Sequence, residues 1–288
     1  MKSPAFGYHD PGTVSEAVGL LATLPNARVL AGGQSLMPML NMRVVLPDHL
    51  IDLNRVAEMS GVSIRDGLLV IGAMTRQRDI EFSDSVMAHC PILPEALLQV
   101  GHRQTRNRGT VGGSLCHLDP SAELPCLAAV MDAVIETASP RGRRQIAFAD
   151  FASSYMTTSL EPDEIATSAQ FPLWPQGHGY AFLEFARRHG DFALASAAVL
   201  MTTDAQGRIT RVAVALSGVG PVPVRMQEAE KALLGQVGGA ELFAQAAKTC
   251  ASLEPQDDIH APAAYRKRLA GVMMRRALEK AFGRAARQ

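Results

Sequence analysis

Apolar residues first recur at helical spacing, at Val14, Ala17, Val18 and Leu21. Thr13 and Glu16 have capping-box separation at the start of this run, and Pro25 closes it. Residues 28–31 then read as a short strand that runs into Gly32-Gly33-Gln34-Ser35, with a helical turn beginning near Leu36. A second strand is predicted over 49–53. Two apolar runs within 62–75 flank Asp66-Gly67, the signature of a tight hairpin. Residues 76–100 read as mostly helical, interrupted at Pro91 and Pro94, and 101–109 as a polar loop rich in Arg and Asn.

Further along, 124–131 has the pattern of a helix. Residues 133–138 and 144–148 pair around Pro140-Arg141-Gly142. A cluster of Pro and Gly at 172–179 marks a domain boundary. Beyond it, 194–203 and 209–216 form an antiparallel hairpin around Asp204-Ala205-Gln206-Gly207. The remainder reads as helices over 224–234, 240–251 and 261–282, with Tyr265, Leu269, Val272 and Met273 sharing a face of the last one.

Composition narrows the possibilities. The 288 residues are 47% hydrophobic and 19% charged, an ordinary globular balance. Lys plus Arg and Asp plus Glu each number 28, so the chain lacks the basic surplus of a general nucleic-acid binder. Arg266, Lys267, Arg268, Arg275, Arg276, Lys280, Arg284 and Arg287 stand against the single acid Glu279 in the last helix, which reads as a solvated face. The longest apolar stretch, 192–201, contains Ser196 and falls far short of a membrane span. The opening twelve residues have no apolar signal core. Cys90, Cys116, Cys126 and Cys250 form no CxxC pair, so their spacing supports neither a zinc site nor an iron–sulfur site held by this chain alone. Reduced thiols and a cytoplasmic location are expected.

Three adjacent glycine pairs are close to what chance gives for 24 glycines, so context has to separate them. Gly238-Gly239 lies between helices and reads as a helix C-cap and linker. Gly32-Gly33 and Gly112-Gly113 each precede a serine within two residues, Ser35 and Ser114. Glycine lets successive N–H groups converge on one point and lets an oxygen-rich ligand approach the backbone. Charge-assisted hydrogen bonds of this kind are worth roughly 1.5–3 kcal/mol each. Two such bends facing each other would suit a dinucleotide diphosphate; two ordinary tight turns would show the same spacing. There is no GxGxxG, which disfavours a Rossmann site.

The string AGGQSLMPMLNMR (31–43) followed by Ile51-Asp52-Leu53 resembles the first flavin-binding segment of the medium, FAD-carrying subunit of the molybdenum hydroxylases. RNRGTVGGSLCHLDPSAELP (106–125) resembles its second segment. PAFGYHDPGTVSEAV (4–18), RRHGDFALASAAV (187–199) and AAYRKRLAGVMMRRAL (263–278) fit in the same order. This family includes carbon monoxide dehydrogenase, xanthine dehydrogenase and dehydrogenases of nitrogen heterocycles.

The resemblance implies an α+β fold: a two-subdomain FAD-binding region of the vanillyl-alcohol oxidase type, then a C-terminal domain with a small antiparallel sheet and helices. The expected limits are 1–56 and 57–175 for the subdomains and 176–288 for the C-terminal domain. It places Ala31, Gly32, Gly33, Gln34, Ser35 and Leu36, together with Thr110, Val111, Gly112, Gly113 and Ser114, around the diphosphate and ribityl chain of FAD. Asp119 and Glu123 match an acidic cofactor-contacting region, and Ile165 is a further cofactor position. Asp191 and Phe192 match a phrase on one face of the flavin ring, Val100 and Gly101 positions near the other. Phe192 is suited to cover the ring by stacking. Three positions depart from the family: Glu123 where Asp is usual, Ser114 where Asn is common, and Gln34 where the carbon monoxide enzymes often carry His.

No acid–base residue is assigned to this chain, because the cofactor carries the redox chemistry. The resemblance implies a small subunit with two 2Fe–2S clusters, a large molybdenum–pterin subunit, pairing of two heterotrimers, and an external electron acceptor. Hydroxylation of an aromatic N-heterocycle such as quinoline is the first reading and carbon monoxide oxidation the second. A self-sufficient FAD oxidoreductase and an assembly module without FAD remain as alternatives.

Overall fold

A computed structural model describes residues 2–285. The first layer comprises β1 (Gly7–His9), α1 (Val14–Thr23), β2 (Ala27–Leu30), α2 (Leu36–Asn41) and β3 (His49–Asp52). Its three strands form a parallel sheet in the order β1-β3-β2. Thr13 caps α1 by accepting from the Glu16 N–H, while the Glu16 carboxylate reaches back to the N–H of Gly12 at 2.8 Å. Val14, Ala17 and Val18 of α1 pack on Ile51 and Leu53.

The next stretch contains β4 (Val62–Arg65), β5 (Leu68–Gly72), α3 (Gln77–Glu81), α4 (Asp84–His89), α5 (Ile92–Leu97), α6 (Arg103–Arg108), α7 (Val111–His117) and α8 (Glu123–Val130). After these come β6 (Val134–Ser139), β7 (Gly142–Ala147), α9 (Phe148–Phe151), β8 (Ala152–Ser154), β9 (Thr157–Thr158) and β10 (Ile165–Pro172). Five strands form an antiparallel sheet in the order β4-β5-β10-β6-β7. The β4–β5 hairpin turns at Asp66 (φ +52°) and Gly67 (φ +73°), both left-handed as a type I′ turn requires.

The last region contains β11 (Gly179–Phe185), β12 (Ala195–Thr203), β13 (Ile209–Ser217), β14 (Val224–Arg225), α10 (Gln227–Leu233), α11 (Ala240–Ala247) and α12 (Ala263–Ala285). Its strands form an antiparallel sheet in sequence order. One face, with Phe182, Ala198, Leu200, Ala213 and Ala215, shares a core with Leu93, Leu97, Leu124 and Leu127 of α5 and α8. The other, with Ala181, Val199, Met201 and Val214, packs on Leu269, Met273, Met274 and Leu278 of α12. Burial on both faces explains why β12 reads as a nearly continuous apolar run.

Several expectations need correcting. Residues 103–108, read as loop, form α6, stabilised through buried Arg106, which bonds Glu81 at 3.0 Å and the Val100 carbonyl at 3.0 Å. Pro94 lies in the first turn of α5, where its missing N–H costs no helical bond. Val224 and Arg225 form an edge strand ahead of α10. Gly239 precedes α11 as its N-cap rather than closing a helix. The basic face of α12 is only partly solvated: Arg266 is buried and donates to the carbonyls of Leu194 and Gly218, while Arg284 and Lys280 bind Glu95 of α5. Arg287 lies outside the described residues.

Candidate functional site

β2 delivers Ala31 to the edge of the parallel sheet, where the chain bends into α2. Gly33 is left-handed at φ +73°. Among the described residues, the backbone N–H groups of Gly33, Gln34, Ser35 and Leu36 donate to no protein acceptor. The bend is held from below: the Ala31 carbonyl accepts from the Asn54 side chain at 3.1 Å, and Gln34 folds back to the Gly32 carbonyl at 3.1 Å.

The second glycine pair is built differently from the turn that its spacing suggests. Thr110 is the N-cap of α7, and Val111, Gly112 and Gly113 are its first turn. Their N–H groups are already engaged, with Thr75 O at 3.1 Å, Ala73 O at 2.8 Å and Thr110 Oγ1 at 3.1 Å respectively. A Cβ on Gly112 would lie 2.5 Å from the Ala73 Cβ. Gly112 therefore serves close packing of α7 on the end of β5, and the free donors belong to the first segment.

The two segments nevertheless meet. A Cβ on Gly32 would collide with the Arg108 carbonyl and lie 2.9 Å from the Gly109 Cα. A Cβ on Gly113 would stand 3.5 Å from the Ala31 Cβ. Arg76 straps the pair together: its guanidinium donates to the Arg108 carbonyl at 2.6 Å and to the side chain of Asn54. Burial lowers the Arg76 pKa, and Arg108 adds to the effect. Arg76 has no carboxylate within ion-pair distance among the described residues. Neither Asn54 nor Arg76 is visible as a site residue in the sequence, because a lone Asn and a lone Arg carry no spacing signal; their roles come from pairing across 22 residues.

A second group of expected residues gathers around a loop. Gly190 is left-handed at φ +87°, and a Cβ there would lie 2.5 Å from the His102 ring. The His102 and His189 ring centroids are 6.1 Å apart. The 186–193 loop is thus seated beside Gly101 (φ +45°), and Asp191 reaches Arg187 at 3.6 Å. Phe192 is 66% exposed, so it is not a core aromatic. Val100 packs at the margin of the main core.

The third group opens α8. Asp119 accepts from the Ser121 N–H at 2.8 Å, and the Pro120 carbonyl accepts from the Gly218 N–H at 2.8 Å, pinning this turn to the C-terminal sheet. Burial pushes the Glu123 carboxyl up to about 7, with the Asp119 charge acting in the same direction. Ile165 is buried in the cluster against which Ala31 packs, and pairs with Ala138 of β6. Ser114 continues α7, donating its N–H to the Thr110 carbonyl at 3.1 Å.

The residues present fit FAD. Unpartnered amides suit a diphosphate, and the exposed Phe192 ring offers an apolar surface to a flat heteroaromatic.

A model described as the FAD-binding domain in molybdopterin dehydrogenase matches residues 4–174, and one described as the CO dehydrogenase flavoprotein C-terminal domain matches 180–281. The chain belongs to the FAD-carrying subunits of the molybdenum-containing dehydrogenases. Members of this family are oxidoreductase components, and FAD is the cofactor of this chain. The chain is 39% identical to the 6-hydroxypseudooxynicotine dehydrogenase complex subunit alpha of Paenarthrobacter nicotinovorans, over 99% of this chain and 97% of that one. It is 38% identical to the carbon monoxide dehydrogenase medium chain of Hydrogenophaga pseudoflava, over 99% and 100%. The structure of quinoline 2-oxidoreductase from Pseudomonas putida 86 matches with a TM-score of 0.95 at 37% identity, covering 99% of this chain and 100% of that one. The α+β architecture, a FAD-binding domain followed by a C-terminal domain, is that of the family. No helix among the described residues is long and apolar enough to cross a membrane.

Proposed function

We propose that this chain is the electron-exit subunit of a three-component hydroxylase. A small 2Fe–2S subunit delivers electrons, a large molybdenum–pterin subunit hydroxylates the substrate, and two heterotrimers pair. FAD bound here exchanges electrons between the one-electron iron–sulfur carriers and an external acceptor. The chain's own part is to bind, orient and shield. The amides of Gly33, Gln34, Ser35 and Leu36 hold the diphosphate, and Arg76 supplies a nearby positive charge. Thr110, Val111, Gly112, Gly113 and Ser114 form the wall against which the first loop closes. Asp119, Glu123, Val100, Gly101, Asp191 and Phe192 surround the ring end, with Ile165 supporting the loop from the core. In this reading 1–56 and 57–175 are the two cofactor-binding subdomains and 176–288 closes over the ring.

The observation that carries this reading is the contact of Gly32 with the backbone of Arg108 and Gly109, which joins two segments far apart in the chain beside a row of unpartnered amides. For the holoenzyme's substrate, an aromatic N-heterocycle is the favoured class, supported by the relatives named for a nicotine derivative and for quinoline and by Gln34 at the position where carbon monoxide enzymes often carry His. Purification of the complex from its native host, with flavin, iron and molybdenum analysis, tests the assignment. Co-elution of FAD, iron and molybdenum with two partner subunits is expected. A chain that elutes alone with FAD and sustains turnover between a reductant and an acceptor would overturn it.

A further inference from the structure

Two segments beside the proposed ring end carry an excess of one charge. Residues 102–108 and 186–192 hold five arginines and two histidines against a single acid, Asp191. Arg106 is buried and bound to Glu81, and Asp191 is taken up by Arg187. Arg103, Arg108 and Arg188 are exposed, and among the described residues their guanidinium groups make no ion pair and no hydrogen bond. The two segments touch: a Cβ on Gly190 would lie 2.5 Å from the His102 ring, and the His102 and His189 ring centroids are 6.1 Å apart. Phe185 and Phe192, both exposed, flank the second segment. The result is an unneutralised cationic surface around an exposed aromatic.

Elsewhere on the surface arginines are matched: Arg141 pairs with Asp163, Arg144 with Glu164 and Arg275 with Glu279. Like charges crowded without counter-charges repel one another and draw in whatever carries the opposite sign. Arg103 and Arg108 stand roughly 7–8 Å apart along the axis of α6, with Arg188 on the neighbouring loop. Charges spread in this way do not converge on one phosphate; they face a broad anionic surface. A permanent subunit interface has an apolar centre depleted of charge, whereas small surfaces rimmed by charge suit redox encounters that form and part quickly.

We propose that Arg103, Arg108 and Arg188, set around Phe192, form the docking surface for an acidic one-electron carrier protein that oxidises the reduced flavin. This rests on the electron-exit role proposed above and names the class of acceptor. Each docked carrier takes one electron, so two carriers in succession reoxidise one FAD reduced by two electrons, and the protons gained on reduction return to solvent. The arginines steer the carrier toward the ring end and set its orientation, and Phe192 gives the encounter a small apolar contact.

The test reduces the purified complex with dithionite, removes the excess, and mixes it in a stopped-flow cell with one of three oxidants: acidic plastocyanin, basic cytochrome c or uncharged duroquinone. The plastocyanin rate should fall as salt rises and the cytochrome c rate should climb, because screening removes an attraction in one case and a repulsion in the other. The double variant Arg103→Glu, Arg188→Glu should slow plastocyanin about tenfold or more at low salt, speed cytochrome c, and leave duroquinone within about twofold. Arg188→Lys, which keeps the charge, should retain most of the plastocyanin rate. A double variant that leaves plastocyanin unchanged, or slows all three oxidants equally, overturns the docking surface; in the first case, lost binding to phosphatidylglycerol vesicles would assign the arginines to a membrane instead. A double variant that sheds the small subunit also overturns it, making the patch a permanent interface. A parent complex whose flavin neither plastocyanin nor duroquinone reoxidises overturns the electron-exit role itself, whatever the arginines do.

Discussion

Four glycines near the site have four different tasks. Gly32 permits a backbone to touch it, Gly33 supplies a left-handed bend, Gly112 lets a helix lie against a strand, and Gly113 faces Ala31. Gly32→Val should therefore force the first loop away from Arg108 and Gly109, costing about 1–3 kcal/mol by overpacking and stripping FAD from the purified chain. Gly239→Ala is the contrasting substitution, because nothing lies within 4 Å of its Cβ direction and its backbone is extended; melting temperature and flavin content should both be retained. A400-range flavin absorbance per chain and a thermal melt of each variant check the pair. The sequence pattern marks Gly32 and Gly33 as a ligand loop. It does not show that the N–H groups of Val111, Gly112 and Gly113 are already used, because their acceptors at Ala73, Thr75 and Thr110 depend on where β5 ends.

Elements whose periodicity and turn chemistry agree are visible in the sequence. The hairpin at Asp66-Gly67 and the β12–β13 pair lie where local signals place them, since two-residue turns and continuous apolar runs are short-range features. α6 is not visible: its residues are polar throughout, and its anchor is an ion pair from Arg106 to Glu81 on another helix. The basic face of α12 shows the same limit, because Arg284 and Lys280 find their partner 189 and 185 residues away. Glu95 takes Arg284 at 2.6 Å, Lys280 at 3.2 Å and the N–H of Phe182 at 2.8 Å. Burial raises the Glu95 pKa, but Arg284 and the Phe182 N–H outweigh it and hold the carboxyl below its usual value. Glu95→Ala leaves a strand N–H and two cations without this acceptor and should lower stability by about 1–3 kcal/mol, read from denaturant unfolding.

At the scale of the molecule, the C-terminal sheet is sandwiched between α12 and the FAD-binding region, and the polar residues at this second seam give folding a pH dependence. Glu123 and Glu184 are raised to about 7 and about 8, chiefly by burial. A carboxyl that holds its proton more tightly when folded contributes stability fully below its unfolded pKa, and that contribution is lost as pH rises through the folded value. The contribution of this pair therefore falls between about pH 5 and pH 8, opposed by His117 and His178, whose pKa values burial lowers and whose contribution grows over the same window, so the pair is read as a difference: Glu184→Gln should lose less melting temperature than the parent from about pH 6 to pH 8. Identical pH profiles of melting temperature for Glu184→Gln and the parent would contradict the burial of Glu184. Such a seam is hard to read from sequence, since Glu184, Ser196 and Ser217 converge only once three strands are in register.

The most direct measurement is a crystal structure of the chain loaded with FAD. The account predicts diphosphate oxygens within hydrogen-bond distance of the Gly33, Gln34 and Ser35 amides, at the contact between Gly32 and the Arg108 carbonyl. Density for the diphosphate at any other place on the molecule, with those amides still unengaged, would contradict it.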